Sequence, residues 1–354
     1  MPTAVAPRAT GAPDDASGAP ARGRVSARVA GIVALVLAIV AVSFVSVGVG
    51  PVAIPPGETL RSFVAFDPDD AQHLLAQLQR TPRTILGLLV GVCLGLAGAV
   101  MQALTRNPLA EPGILGVNGG AAFAIATGIA VGLTSVWHYT WLGLVGAAVA
   151  GAVVYLLGGA RTGTNPVRLV LAGAASSAVL MAATQLVLVN ASPDVFNRFR
   201  FWMVGSLSGR GYDVLAAVSV LAVVGIVGAV LLARALDAAV LGEDTARALG
   251  ANPAVVWSVA GVVVIVLAGA ATAAAGPVVF LGLAAPHLAR LLVGASHRWV
   301  LPYSALIGAL LVVGADALGR IVVPGREVSV GIMIAILGGP LFVWLVRRKR
   351  IATL

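Results

Sequence analysis

The sequence predicts an all-α, polytopic membrane protein with ten spans. Two features of composition and one of pattern point there. Hydrophobic residues make up 59% of the chain and charged residues 10%, whereas a soluble domain carries about 25% charged residues. Mean hydropathy is +1.00. The charges fall between long charge-free runs, and a helix needs roughly 20 apolar residues to cross a bilayer. The 43 glycines fit helices that pack closely in lipid. A soluble chain of 354 residues would divide into domains; here the length reads as one bundle.

Residues 1–28 are rich in Ala, Pro, Gly and Arg and lack apolar periodicity, so a disordered cytoplasmic tail is expected. The run 29–57 is long enough to span and has no clear cleavage site, which argues against a signal peptide. Residues 84–105 form a 22-residue charge-free span. The run 112–160 is 49 residues long and must fold into two spans, with Trp137-His138-Tyr139-Thr140-Trp141 at the interface between them. Residues 169–193 and 214–233 give one span each. The 42-residue run 248–289 divides at Gly276-Pro277. Residues 299–315 and 328–346 complete a ten-span domain over 29–346, followed by a basic cytoplasmic end, 347–354, placed at anionic headgroups.

An even number of spans puts both termini on one side. With the N-terminus inside, 15 basic residues lie on the cytoplasmic side and 8 outside. Positive charge is biased inward, so both termini are expected in the cytoplasm. The same distribution explains the net charge of +9 without nucleic acid as a partner, because the arginines flank apolar spans.

The chemistry of an enzyme is missing. Lys349 is the only lysine, and it does not follow the Gly-rich turn that a Walker A site needs. Cys93 has no second cysteine to pair with. His73, His138, His287 and His297 are scattered, so no metal site or cofactor is expected. The acids lie in loops or at span ends, whereas ion-coupled carriers place carboxylates near the midplane. That pattern suits a transporter driven from outside the chain; an ion-coupled secondary carrier is the alternative.

Four polar regions stand out. In RNPLAEPGILG, residues 106–116, Pro108 and Pro112 block regular helix, Gly113 and Gly116 permit close backbone approach, and Asn107 can satisfy freed backbone groups. The segment 235–253 is too polar for lipid; Leu241, Ala246, Leu249 and Gly250 would give a short helix over 243–249 one apolar face. In GPVVFLGLAAPHLAR, residues 276–290, Pro286 is expected to kink or interrupt the eighth span, leaving His287 and Arg290 at the cytoplasmic end. Outside, Arg80 and Arg83 lead into the second span, and Asp316 and Arg320 sit at i, i+4.

These strings resemble the FecCD-type permeases, the membrane subunits of ABC importers for iron-siderophores, haem and cobalamin. The resemblance runs from about residue 30 to residue 346. It implies the type II ABC importer permease fold in a bacterial plasma membrane, embedded in lipid and paired with a second copy or paralogue. It also implies a separate ABC ATPase subunit inside and an extracytoplasmic substrate-binding protein outside. On that resemblance LGEDTARALG is the coupling segment to the ATPase, with Leu241, Gly242, Glu243, Ala246, Arg247, Leu249 and Gly250 carrying it; a plain connecting helix is the other reading of those residues. Arg80, Arg83 and Arg320 match arginines that meet glutamates on the binding protein's lobes. A ferric siderophore is the expected cargo, with haem or cobalamin next.

Overall fold

The charge-free runs fold as helices, and the breaks between them fall at proline and glycine. A computed structural model describes residues 21–159, 166–240 and 252–347, and no strand occurs among the described residues. In chain order the longer helices are α1 (Ala21–Gly48), α2 (Pro56–Val64), α3 (Ala71–Leu74), α4 (Thr81–Thr105), α5 (Val117–Ala130), α6 (Val136–Leu157) and α7 (Pro166–Val189). They continue as α8 (Pro193–Met203), α9 (Tyr212–Val240), α10 (Pro253–Ala275), α11 (Leu281–Val293), α12 (His297–Gly319) and α13 (Val330–Arg347). A π-helical turn, Leu75–Arg80, leads into α4, and a 3-10 turn, Pro112–Leu115, precedes α5.

Among the described residues seven helices are long and apolar enough to cross a membrane, and Val117–Ala130, Leu281–Val293 and Val330–Pro340 are apolar but shorter. At 1.5 Å per residue a 13-residue helix such as α11 reaches about 20 Å, short of a hydrocarbon core of about 30 Å. The expected count of ten therefore depends on these three shorter apolar segments.

The boundaries differ from the sequence reading in definite places. Helix α1 starts at Ala21, so residues 21–28 are helical and not part of a disordered tail. It stops at Gly48, before Pro51, Pro55 and Pro56, well short of residue 57. The divide within 112–160 lies between Ala130 and Val136, and the Trp137–Trp141 aromatic pair belongs to the first turns of α6. Pro286 does not interrupt its span: α11 runs through it, and the break comes earlier, where Gly276 (φ 78) ends α10 and Phe280 (φ 67) opens α11. A proline at 286 cannot donate to the carbonyl four residues back. That carbonyl, Gly282 O, instead accepts from Gln102 Nε2 at 3.3 Å.

Helix α4 is the hub. It packs against α9, α10, α11 and α12 and is mostly buried, while α1 and α7 present most of their surface outward. Glycine makes the hub possible. A Cβ on Gly91 would overlap the Gly308 carbonyl of α12, one on Gly95 the Ser304 carbonyl, and one on Gly98 the Gly282 carbonyl of α11. Small residues let backbones approach closely where lipid supplies no hydrophobic drive.

Polar latches hold the helix ends opposite the Arg80 cluster. Asp237 of α9 accepts from the His297 backbone N–H (2.7 Å) and pairs with His297 Nδ1 (2.9 Å) at the start of α12. Arg28 of α1 donates to Val293 O at 2.9 Å and lies over the Trp299 ring, and Tyr303 donates to Arg28 O at 2.6 Å. Arg106 donates to Ala239 O at 3.0 Å.

Replacing Gly91 or Gly308 with valine is expected to cost about 1–3 kcal/mol or more through overpacking, read as a lower thermal midpoint in detergent. Alanine at Gly57 or Gly314, where nothing lies within 4 Å of the added carbon, should leave the midpoint unchanged.

Candidate functional site

The three arginines singled out from the sequence come together with two carboxylates at one end of α4. Asp316 sits between two guanidinium groups. Arg83 meets it with Nε and Nη2, the latter at 2.7 Å from Oδ1, and reaches Glu327 Oε2 with Nη1 at 2.8 Å. Arg320 reaches the other Asp316 oxygen from one turn along α12. Arg320 also donates to Ser46 O (2.7 Å), Val49 O (3.1 Å) and Ser46 Oγ (2.7 Å). Arg80 donates to Val47 O (3.0 Å), Gly48 O (2.9 Å) and Val52 O. A Cβ on Gly50 would lie 2.6 Å from the Arg80 guanidinium, so a larger residue there would displace it.

The orphan carbonyls at the end of α1 are thus met by two cations, the arrangement favoured at a helix C-terminus. Arg80, Arg83, Arg320 and Asp316 are all buried. The sequence reading treats the three arginines as outward charges for a partner. In the structure their donors are directed at this chain's own acceptors, which offsets the cost of burying these three guanidinium groups.

Beside this cluster lies a cavity of about 370 Å³, and a fourth arginine, Arg210, shares its wall with Arg80, Arg83, Arg320 and Glu327. Arg210 sits in the loop between α8 and α9, flanked by Gly209 (φ 69) and Gly211. Burial pulls its pKa down to about 10, opposed by the nearby Tyr139 and Asp213, so it remains a cation at neutral pH. Sequence reasoning counted it only as one of the outer arginines; the Gly-Arg-Gly string was the available signal.

A second node joins the two motif strings from opposite halves of the chain. Gln102 of α4 accepts from Arg290 and donates to Gly282 O. Pro112 lies against Gly282, and Glu111 lies by the Phe280 backbone. Asn107 Oδ1 accepts from Leu109 N–H at 2.9 Å, and Gly116 holds φ 74 at the entry to α5. Pro108 lies in the same turn, and Gly113 leads the 3-10 turn toward Asn118, which accepts from Thr272 of α10 at 2.9 Å. His287 and Arg290 are buried here and do not face the cytoplasm as free side chains. Residues 241–250, including Leu241, Gly242, Glu243, Ala246, Arg247, Leu249 and Gly250, lie outside the described residues.

One group among the described residues has metal-ligand composition: Glu58, Asp70 and His73. Its chemistry does not suit a metal. The Asp67 N–H donates to His73 Nδ1 at 3.0 Å, which leaves the neutral ring's proton on Nε2, the atom that faces Glu58 at 3.5 Å. A ligating histidine normally donates from its second nitrogen.

The profile of the FecCD transport family matches residues 36–348. The ferric enterobactin transport system permease FepD of Escherichia coli K12 is 43% identical over 318 residues, covering 89% of this chain and 94% of the relative. The Fe(3+)-citrate import permease YfmD of Bacillus subtilis is 36% identical over 322 residues, covering 90% and 94%. The hemin permease HmuU of Yersinia pestis is 36% identical over 276 residues, covering 77% and 82%. A solved structure described as a metal-chelate type ABC transporter in an inward-facing conformation superposes with a TM-score of 0.78 at 28% identity, covering 89% of this chain and 98% of that one.

Asp316→Asn should leave two buried guanidinium groups without their shared charge, at a cost of about 3–5 kcal/mol. Glu327→Gln, at a side chain 29% exposed, should cost about 0–1 kcal/mol. Thermal unfolding of the two variants in detergent compares them directly.

Proposed function

This chain belongs to the FecCD transport family, and on that premise we propose that it is the permease subunit of an ABC importer for ferric siderophores. The observation that carries the reading is the 43% identity to a ferric enterobactin permease over 89% of the chain. The residues agree with it in kind. The chain lacks a Walker A lysine, so ATP hydrolysis falls to a separate subunit. A binding protein delivers cargo outside, and a second copy or paralogue completes the path. The permease forms and breaks no bonds; it alternates access while the ATPase supplies the work. Reconstitution with the ATPase and binding protein tests the cargo. ATP-dependent uptake of a ferric siderophore is expected; uptake of haem or cobalamin alone would move this chain to another branch of the family.

Ten crossings with both termini inside are part of the reading, supported by the 15 to 8 distribution of basic residues. In a Cys93→Ser background, single cysteines near Arg161 should label only from the cytoplasmic side, and those near Asp69 and Asp194 only from outside. The reverse pattern at two of these sites would overturn the orientation.

Residues 241–250 are assigned to coupling. They follow α9 directly, and Asp237 near its end is latched to α12, so a push there has a stiff element to act on. Reversing Glu243 to Lys, or enlarging Gly250 to Trp, should uncouple ATP hydrolysis from uptake while leaving membrane insertion intact. Normal coupled transport by both variants would make the segment a connector only.

A further inference from the structure

A second cavity, of about 470 Å³, lies at the other end of the bundle, between the start of α1 and the join of α11 to α12. Its wall is divided by chemistry. Arg28 stands at one end, and Gly31, Leu35 and Leu292 form an apolar length leading away from it. Leu35 is seven residues beyond Arg28 on α1, about 10 Å along the helix. The cavity sits at the outer surface of the bundle: the apolar stretch of α1 is only 6% buried, and Leu292 is 64% exposed. Arg28 is also the last charge before the charge-free run 29–57, which places it at headgroup depth. No carboxylate lines the cavity, and Asp237, the acid at the start of α12, is held by His297.

Arg28 is held in place with donors to spare. Tyr303 Oη donates to its carbonyl at 2.6 Å, its Nη2 donates to Val293 O at 2.9 Å, and its guanidinium lies over the Trp299 ring at 5.5 Å. Gly31 makes the fit possible, because a Cβ there would overlap Tyr303 Oη. A guanidinium carries five N–H donors. Among the described residues Arg28 spends only the Nη2 bond, and the side chain is half-buried. A cation fixed ahead of its ligand lowers the ordering cost of binding. Arg298, beside Trp299 in the chain, is exposed and adds a second positive charge at this end.

We propose that this cavity binds one anionic phospholipid, with its phosphate on Arg28 and the first part of an acyl chain along Gly31, Leu35 and Leu292. Basic pockets between spans on the cytoplasmic side suit acidic headgroups, and a guanidinium pairs with phosphate oxygens through parallel N–H bonds. Cation at one end and hydrocarbon along the other match an amphiphile. A free phosphate would leave the apolar length unfilled. The seated lipid bridges α1 and α11, adding to the Arg28 latch that already joins them. The inference rests on the inward orientation proposed above for the leaflet that supplies the lipid, and its test is independent of that orientation.

The permease, copurified with its ATPase and delipidated in detergent, is titrated with phosphatidylglycerol, phosphatidylcholine and inorganic phosphate, and bound lipid is counted by native mass spectrometry. One phosphatidylglycerol per permease chain should be retained, about tenfold more tightly than phosphatidylcholine, and it should raise the thermal midpoint. Arg28→Gln should remove most of that preference, and Arg298→Gln a smaller part. Arg28→Gln also removes the bond to Val293 O, so Ala27→Trp supplies a second arm. It fills the cavity from an exposed position on its wall, leaves every cation in place, and should abolish retention. Arg168→Gln, at an exposed arginine of α7, should change nothing. Equal retention of the two lipids, or wild-type retention by both Arg28→Gln and Ala27→Trp, would overturn the site. Displacement of the lipid by excess inorganic phosphate would overturn it too, since the cavity would then be a small-anion site. Detergent micelles have no sides and no transport is read. A failed orientation appears in the cysteine labelling, and a failed lipid site appears here.

Discussion

Asp316 is the carboxylate on which the packing of this end of the bundle depends. It is buried on α12 between Arg83 of α4 and Arg320 of its own helix. Burying an ion pair is costly unless its remaining hydrogen-bond capacity is satisfied. The structure meets that condition by passing the surplus donors onward. Arg83 extends to Glu327 in the link to α13, and Arg320 extends to the last carbonyls of α1. One acidic side chain thereby orients four helices, and the end of α1 receives the positive charge its dipole favours.

The opposite ends of the same helices are fastened by different means. Asp237 caps the start of α12, and Arg28 joins α1 to α11 and α12. Between the two sets of latches α4 and α12 touch through glycine, at backbone distance. Backbone-to-backbone contact leaves little room for side chains to absorb movement, so these helices are suited to move as a unit. By contrast α1 and α7 have little buried surface.

The short helix α11 illustrates how membrane depth is filled without regular helix. Residues 276–280 are non-helical, and non-helical backbone at such depth is tolerated only where protein surrounds it. Trp202 and Gly205 lie against Gly276 and Pro277, and Glu111 lies by Phe280. The two motif strings pack together at Pro112 and Gly282, and Gln102, just before the first string, meets Gly282 O and Arg290 of the second.

Most of the secondary structure was legible in the sequence, because charge is so costly in lipid that charge-free runs mark the spans directly. Helix α4 and the divide after Ala275 fall where the runs place them. The family was legible too, since RNPLAEPGILG and GPVVFLGLAAPHLAR are long strings whose prolines and glycines meet specific backbone demands. Polar side chains were legible only as types. That Arg80 and Arg320 close the end of α1, that Arg290 finds Gln102, and that Arg210 finds no hydrogen-bond partner among the described residues all depend on which helices become neighbours. Sequence determines where a charge sits along the chain, and therefore on which helix end. Burial and pairing are properties of the assembled bundle, and only the tertiary structure decides whether a cation finds an acceptor within it.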